Sequence, residues 1–255
     1  MLFRRNITVR PLTGRERRRL YIYQPDSRLF GADARYPVLY MFDGHNVFLD
    51  EDATYGKSWG MLEYLQEHPM PLMIVAVECN HHPDNGRLKE YSPWSFTDDQ
   101  FGEVEGRGKT YMDWMVHTLK PLIDRHYPTL PDRAHTWIAG SSMGGLMSLY
   151  GVLAYNDVFS RCAALSPSIW VNGKRMRKLI REGQFDEDTC IYMDYGSREM
   201  EGHDGMDRQF ALTAAAMLDR RMHVTARIIP NGDHCEACWE EQLPFFMPLF
   251  FYSRE

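Results

Sequence analysis

Residues 140–144 read G-S-S-M-G, a G-x-S-x-G pattern with Ser142 at its centre. Ser142 is the candidate nucleophile; Ser141 fills the variable position and is expected to be structural. The chemistry open to such a serine is attack on an acyl carbon, for which a neighbouring base must take its proton. The flanks suit that role. H-T-W-I-A before the motif reads as a strand and G-L-M-S-L-Y-G-V-L after it as a helix. A sharp strand–turn–helix step lifts the central hydroxyl above a sheet. Small residues two before and two after let strand and helix pass closely, and the helix start supplies free N–H groups.

A serine nucleophile on such an elbow is followed in the chain by an acid and then a histidine. His203, His223 and His234 lie downstream. His234, in P-N-G-D-H, falls just past the last predicted strand and before the last helix, where a parallel sheet places its site. His223 precedes that strand, at the opposite edge, and His203 in E-G-H-D-G is the weaker rival. For the acid, G-S-R-E after residues 190–195 offers Glu199. The acid must orient the imidazole from a loop. Asp194 lies inside the strand, and Asp233 is adjacent to His234, so its side chain diverges from the ring; Glu199 fits better.

These residues need a sheet to hold them. Residues 6–9 and 18–23 alternate and are joined by T-G, a hairpin signal. Short apolar runs follow at 36–42, 72–77, 135–139, 161–165, 190–195 and 224–229, lengths that suit strands buried on both faces. Between them, 110–125 places Tyr111, Met115, Leu119, Leu122 and Ile123 at helical spacing. Residues 144–155 and 207–221 also read as helices, as does 239–252, broken or bent at Pro244 and Pro248. Alternating strands and helices predict an α/β fold with a mostly parallel central sheet flanked by helices and an N-terminal antiparallel hairpin, in one domain over 1–255.

Composition excludes several classes. The net charge of −6 provides no basic field for nucleic acid or an anionic membrane. The longest apolar stretches fall well short of the roughly 20 residues that span a bilayer. The N-terminus lacks a signal-like apolar core, which predicts a cytoplasmic protein. Five scattered cysteines argue against a disulfide framework. The C-E-A-C pair at 235–238 lacks a second ligand pair for zinc and reads as two reduced thiols. His81-His82 reads as a solvated loop, so neither metal nor cofactor is expected.

The chain resembles an esterase family of α/β-hydrolases that includes enterochelin esterases, S-formylglutathione hydrolases, feruloyl and acetylxylan esterases and mycolyltransferases. The resemblance covers most of the chain. It is carried by Y-M-F-D-G-H-N-V-F at 40–48, E-Y-S-P-W at 90–94, L-K-P-L-I-D-R-H-Y at 119–127 and I-A-G-S-S-M-G-G-L at 138–146. F-S-R-C-A-A-L-S-P-S-I-W at 159–170, G-S-R-E at 196–199 and H-C-E-A-C-W at 234–239 continue it. The resemblance implies an α/β-hydrolase fold and a triad of Ser142, Glu199 and His234, although the family often carries Asp where this chain has Glu199. It also implies an oxyanion hole from the backbone N–H groups of Met143 and His45, and a packing tryptophan at Trp239.

The expected reaction is therefore acyl transfer from a carboxylic ester to water through an acyl-serine. Aromatic residues in the loops expected to wall the site, among them Phe48 and Trp59, suit an aryl or sugar-bearing ester, each competing with a plain packing role. Asn46, Tyr91, Trp94 and Trp170 are the expected substrate contacts. The expected partner is a small-molecule ester, with no nucleic acid and no membrane; a homo-oligomer is compatible with the chain. Two other readings share these residues: an acyltransferase, in which an alcohol resolves the acyl-enzyme, and a non-catalytic binding module, whose signature would be a missing triad member.

Overall fold

The computed structural model describes residues 1–201 and 205–252. Two N-terminal strands, β1 (Leu2–Thr8) and β2 (Arg17–Tyr23), pair antiparallel, with Leu2 opposite Tyr23 and Thr8 opposite Arg17. Their connection is longer than the T-G signal predicts: Arg10–Thr13 form a helical turn, with Pro11 in its first turn. Then come β3 (Val38–Met41), β4 (Met73–Val77), a ribbon of β5 (Phe96–Asp98) and β6 (Gly102–Val104), β7 (Thr136–Ser141), β8 (Arg161–Leu165), β9 (Cys190–Gly196) and β10 (His223–Ile229). Apart from the ribbon they form one sheet, in the order β1-β2-β4-β3-β7-β8-β9-β10. β2 is antiparallel to both its neighbours, and every pairing from β4 to β10 is parallel.

The apolar runs are buried on both faces because each strand alternates sides. Val38, Tyr40 and Phe42 join a core with Tyr111, Met112, Leu146 and Leu149. Leu39 and Met41 join a second core on the other face, with Trp59, Trp137, Trp239 and Phe246. The helix Met143–Ala154 is buried along nearly its whole length, so it shows no polar face. The helix expected over 110–125 runs from Gly108 to His126 but is interrupted by a π-helical segment, Met115–Leu119. The C-terminal helical stretch is cut into Glu236–Glu240, Leu243–Phe246 and Pro248–Phe251, with Pro244 and Pro248 early in the second and third pieces.

Because the strands from β3 to β10 run parallel, the loops leaving their C-terminal ends gather at one edge of the sheet. The turn after β3, the 79–87 segment after β4, the elbow after β7 and the loop after β10 converge there. No helix among the described residues is long and apolar enough to cross a membrane.

Candidate active site

Ser142 sits between β7 and the helix Met143–Ala154 with φ 58° and ψ −123°, a strained conformation for a residue other than glycine. The strain is held by neighbouring backbone. Ser142 N–H donates to the Leu165 carbonyl at 2.9 Å, and the Ser142 carbonyl accepts from Ser168 N–H at 3.0 Å. Gly140 explains how strand and helix approach so closely: a β-carbon there would lie 2.8 Å from the backbone carbonyl of Gly144. At the start of the helix, the Met143 N–H has no intrahelical carbonyl to reach and is available to a ligand.

His234 lies in the loop after β10, and its Nδ1 is 2.6 Å from Glu199 Oε2. Glu199 lies in the short helix Ser197–Glu201 after β9 and is nearly buried, with 3% of its side chain exposed, while His234 is 44% exposed. The other carboxylate oxygen is also engaged. Oε1 accepts from Gly196 N–H at 3.0 Å and from Ser166 Oγ at 2.6 Å. Ser166 in turn accepts from Trp239 Nε1 at 3.0 Å, and the Trp239 ring meets the His234 imidazole edge-on, with centroids 5.1 Å apart. The Glu199 carboxylate is thus held by three donors in all, and a carboxylate so held can orient an imidazole with its Nδ1–H inward and its Nε2 free to accept a proton.

The rival acids have other partners. Asp194 is buried, accepting from Ser166 N–H at 3.1 Å and Tyr192 Oη at 2.8 Å. Burial pushes its carboxyl up to about 7. Asp233 pairs with Arg198 at 3.0 Å. His223 opens β10 at the far end of that strand, and His203 lies outside the described residues.

Ser142 and His234 line one cleft of about 610 Å³ with Asp43, His45, Asn46, Arg87 and Trp239 among its walls. The turn after β3 is braced from below. Asp43 adopts a left-handed conformation (φ 52°), its N–H meets Tyr91 Oη at 3.2 Å, and Arg87 grips its carboxylate with two bonds of 2.7 and 2.8 Å. Burial alone would raise the Asp43 carboxyl, but the Arg87 guanidinium outweighs it and holds it below the usual carboxylate range. The helical turn Gly44–Asn46 that follows places the His45 backbone in the cleft wall. Asn46 is anchored to Glu236 Oε1 at 3.0 Å and accepts from Thr54 N–H at 3.0 Å.

Three of the four expected substrate contacts sit elsewhere. Tyr91 is fully buried and meets the Asp43 turn from inside the core, where its hydroxyl has an internal partner that nothing in E-Y-S-P-W announces. Trp94 packs edge-on against Tyr150 and lies outside the cleft lining. Trp170 packs edge-on against Phe96 and lines a different hollow, with Lys174, Met206 and Gln209. Phe48 and Trp59 are core residues. Arg87 and Ser166 were not singled out from the sequence: an arginine in G-R-L-K and a serine in L-S-P-S have no periodic signal, and only the fold brings them to Asp43 and Glu199.

Comparison with known proteins agrees with this architecture. The family model described as "Putative esterase" matches residues 13–248. An uncharacterized protein of Bacillus subtilis, YbbA, is 26% identical over 187 residues, covering 71% of this chain and 69% of that protein. Among solved structures, a ferulic acid esterase superposes with a TM-score of 0.71 at 18% identity, covering 98% of this chain and 97% of the other. The enterobactin esterase FES of Shigella flexneri, solved in the presence of enterobactin, gives a TM-score of 0.73 at 18% identity over 98% of this chain and 59% of the other. With a family match over nearly its whole length, the chain belongs to the esterase family of α/β-hydrolases and is a carboxylic ester hydrolase.

Proposed function

We propose that the ester is cleaved through an acyl-serine on Ser142, with His234 as general base and Glu199 as its orienting acid. The observation that carries this reading is the strained elbow at Ser142 opening into the same cleft as a histidine whose Nδ1 is bonded at 2.6 Å to a buried carboxylate. Ser142 attacks the carbonyl while His234 Nε2 takes its proton. The N–H groups of Met143 and His45 hold the developing oxyanion, each contributing about 3–4 kcal/mol to the transition state. His234 then protonates the leaving alcohol, and water, activated by the same ring, releases the acid. Glu199 orients the ring and stabilises the imidazolium that forms.

The cleft supports a small, polar ester. His45, Asn46, Asn80, His82 and Arg87 line it, and exposed Tyr55 offers a stacking face at its edge. Similar folds in a ferulic acid esterase and an enterobactin esterase accord with an ester bearing an aromatic acyl group. Treatment with a fluorophosphonate followed by peptide mass mapping tests the assignment. Label is expected on Ser142 in the wild type and in Ser141→Ala, and on neither serine in Ser142→Ala. Label on Ser141, or an active enzyme that takes none, overturns it.

A further inference from the structure

The wall of the cleft carries a second cluster that ester hydrolysis does not use. His45, Cys79 and His81 each offer one donor atom, and these atoms lie within 4.8 Å of one another. Cys79 Sγ stands 4.0 Å from His81 Nδ1, and the two imidazoles meet edge-on with centroids 4.9 Å apart. Two histidines and a thiol are a ligand set suited to zinc. A tetrahedral ion with Zn–N near 2.0 Å and Zn–S near 2.3 Å wants two nitrogens and a sulfur roughly 3.3–3.5 Å apart. The required contraction is at most about 1.5 Å by the same geometry, and His81, an exposed side chain, can turn toward the other two.

Two further observations point to a ligand. His45 is 97% buried (3% exposed), yet its Nδ1 has no hydrogen-bond partner. A buried ring nitrogen left unpaired is destabilising unless something fills the position. Its other nitrogen, Nε2, is 3.0 Å from Thr54 Oγ1. His81 shows the same division: Nδ1 turns to Cys79, while Nε2 is 3.3 Å from Glu78 Oε1, and Arg19 fixes that carboxylate. Metal-binding histidines characteristically give their second nitrogen to a carboxylate or hydroxyl in this way, which fixes the tautomer and the ring plane.

We propose that His45, Cys79 and His81 form a binding site for a divalent cation of the zinc class in the cleft wall. Binding displaces the Cys79 thiol proton to solvent and forms three bonds, from His45 Nδ1, Cys79 Sγ and His81 Nδ1. Three protein ligands leave the fourth tetrahedral position to water or to an anionic group of a molecule in the cleft. The residues came from two separate loops, so no ligand spacing revealed them in the sequence; a C-x-H pair alone is half a site. The proposal stands whether or not Ser142 is the nucleophile, and its test reads the metal rather than turnover.

The full-length, reduced protein is titrated with cobalt(II) chloride and followed by absorption. One equivalent per chain is expected, with the charge-transfer band of a thiolate–cobalt bond and intense tetrahedral ligand-field bands, both removed by added zinc. Cys79→Ser, with folding checked by circular dichroism, is expected to lose the charge-transfer band. His81→Ala, at a side chain about half exposed and with folding checked in the same way, is expected to weaken binding at least about tenfold. The rival thiols are Cys235 and Cys238, and the double variant Cys235→Ser/Cys238→Ser is expected to keep the band. Absence of the band from the wild type, its survival in Cys79→Ser, unchanged affinity in His81→Ala, or its loss in the Cys235/Cys238 variant overturns the proposal.

Discussion

Glu199 is the carboxylate bonded to the His234 imidazole, and under the proposed mechanism it orients the ring. Its two oxygens divide the work, Oε2 facing His234 and Oε1 taking Ser166 and Gly196. Glu199→Gln keeps the shape but offers an amide where Nδ1–H needs an acceptor, so the wrong tautomer is favoured and kcat is expected to fall by about 10⁴ with little change in KM. Asp194→Asn and Asp233→Asn are expected to stay within about tenfold of wild type, because neither touches His234. Steady-state kinetics on the three variants decides this; near-normal turnover in Glu199→Gln would assign the acid elsewhere. Ser166 acts through Glu199. Ser166→Ala removes one donor from Oε1 and strands the Trp239 N–H, a loss of roughly 1–3 kcal/mol. The expected result is lower kcat at constant KM, largely restored in Ser166→Thr, which keeps the hydroxyl. Equal loss in both variants would assign Ser166 a packing role only. The Glu199–His234 bond, and the cleft that His234 shares with Ser142, were legible from order along the chain, since the three residues each follow a separate parallel strand. Ser166 was not, because nothing about a serine after a strand says which carboxylate it will meet.

At the scale of elements, the strands were read most faithfully. Runs such as 72–77 are apolar throughout because both faces of β4 are covered, and that pattern survives without knowledge of partners. Elements whose reason for forming is tertiary were harder to read. The helix Gly173–Glu182 buries only Gly173, Met176 and Ile180 among many cations, too thin a stripe to stand out. The β5–β6 ribbon has three residues per strand. The π-helical segment at Met115–Leu119 widens the turn inside an otherwise regular apolar stripe, and periodicity cannot register it. The elbow, by contrast, is a local device with a local signature, and its cost can be measured. In Gly140→Ala the new methyl would meet the Gly144 carbonyl at 2.8 Å, backbone against side chain with no rotamer to relieve it. Pushing strand and helix apart is expected to cost about 1–3 kcal/mol of stability and to displace Ser142, lowering kcat more than tenfold. Thermal unfolding together with ester hydrolysis reads both effects, and a variant with wild-type melting and activity would show that the contact relaxes freely.

For the whole molecule, the sheet buries ionisable groups under the site, and these tie folding to pH. Asp194 lies inside β9, with Tyr192 and Ser166 as its donors, Arg227 as the nearby cation and Glu199 as a nearby like charge. Burial outweighs the donors and lifts its carboxyl from 3.8 to about 7. In the unfolded chain it returns to its ordinary value, so between roughly pH 4 and 7 the unfolded state has released the proton while the folded state keeps it. Each rise in pH across that window therefore favours unfolding. The contribution of the protonated form is complete below about pH 4 and lost by the time pH passes about 7. A tenfold change in proton affinity is worth roughly 1.4 kcal/mol, which sets an upper bound on the order of 4 kcal/mol for the full span. Asp194→Asn is neutral at every pH, with an amide oxygen still able to accept from Ser166 N–H. Subtracting its unfolding free energy from that of the wild type cancels the other titrating groups, Glu90 included, which burial beside Arg18 raises to about 6. Denaturant titrations at half-unit steps from pH 4.5 to 8 should show the wild type losing ground to Asp194→Asn as pH rises, with the difference levelling above about 7. A difference that stays flat across the series would mean that Asp194 is ionised in the folded protein, its charge carried by Arg227 and the Tyr192 hydroxyl.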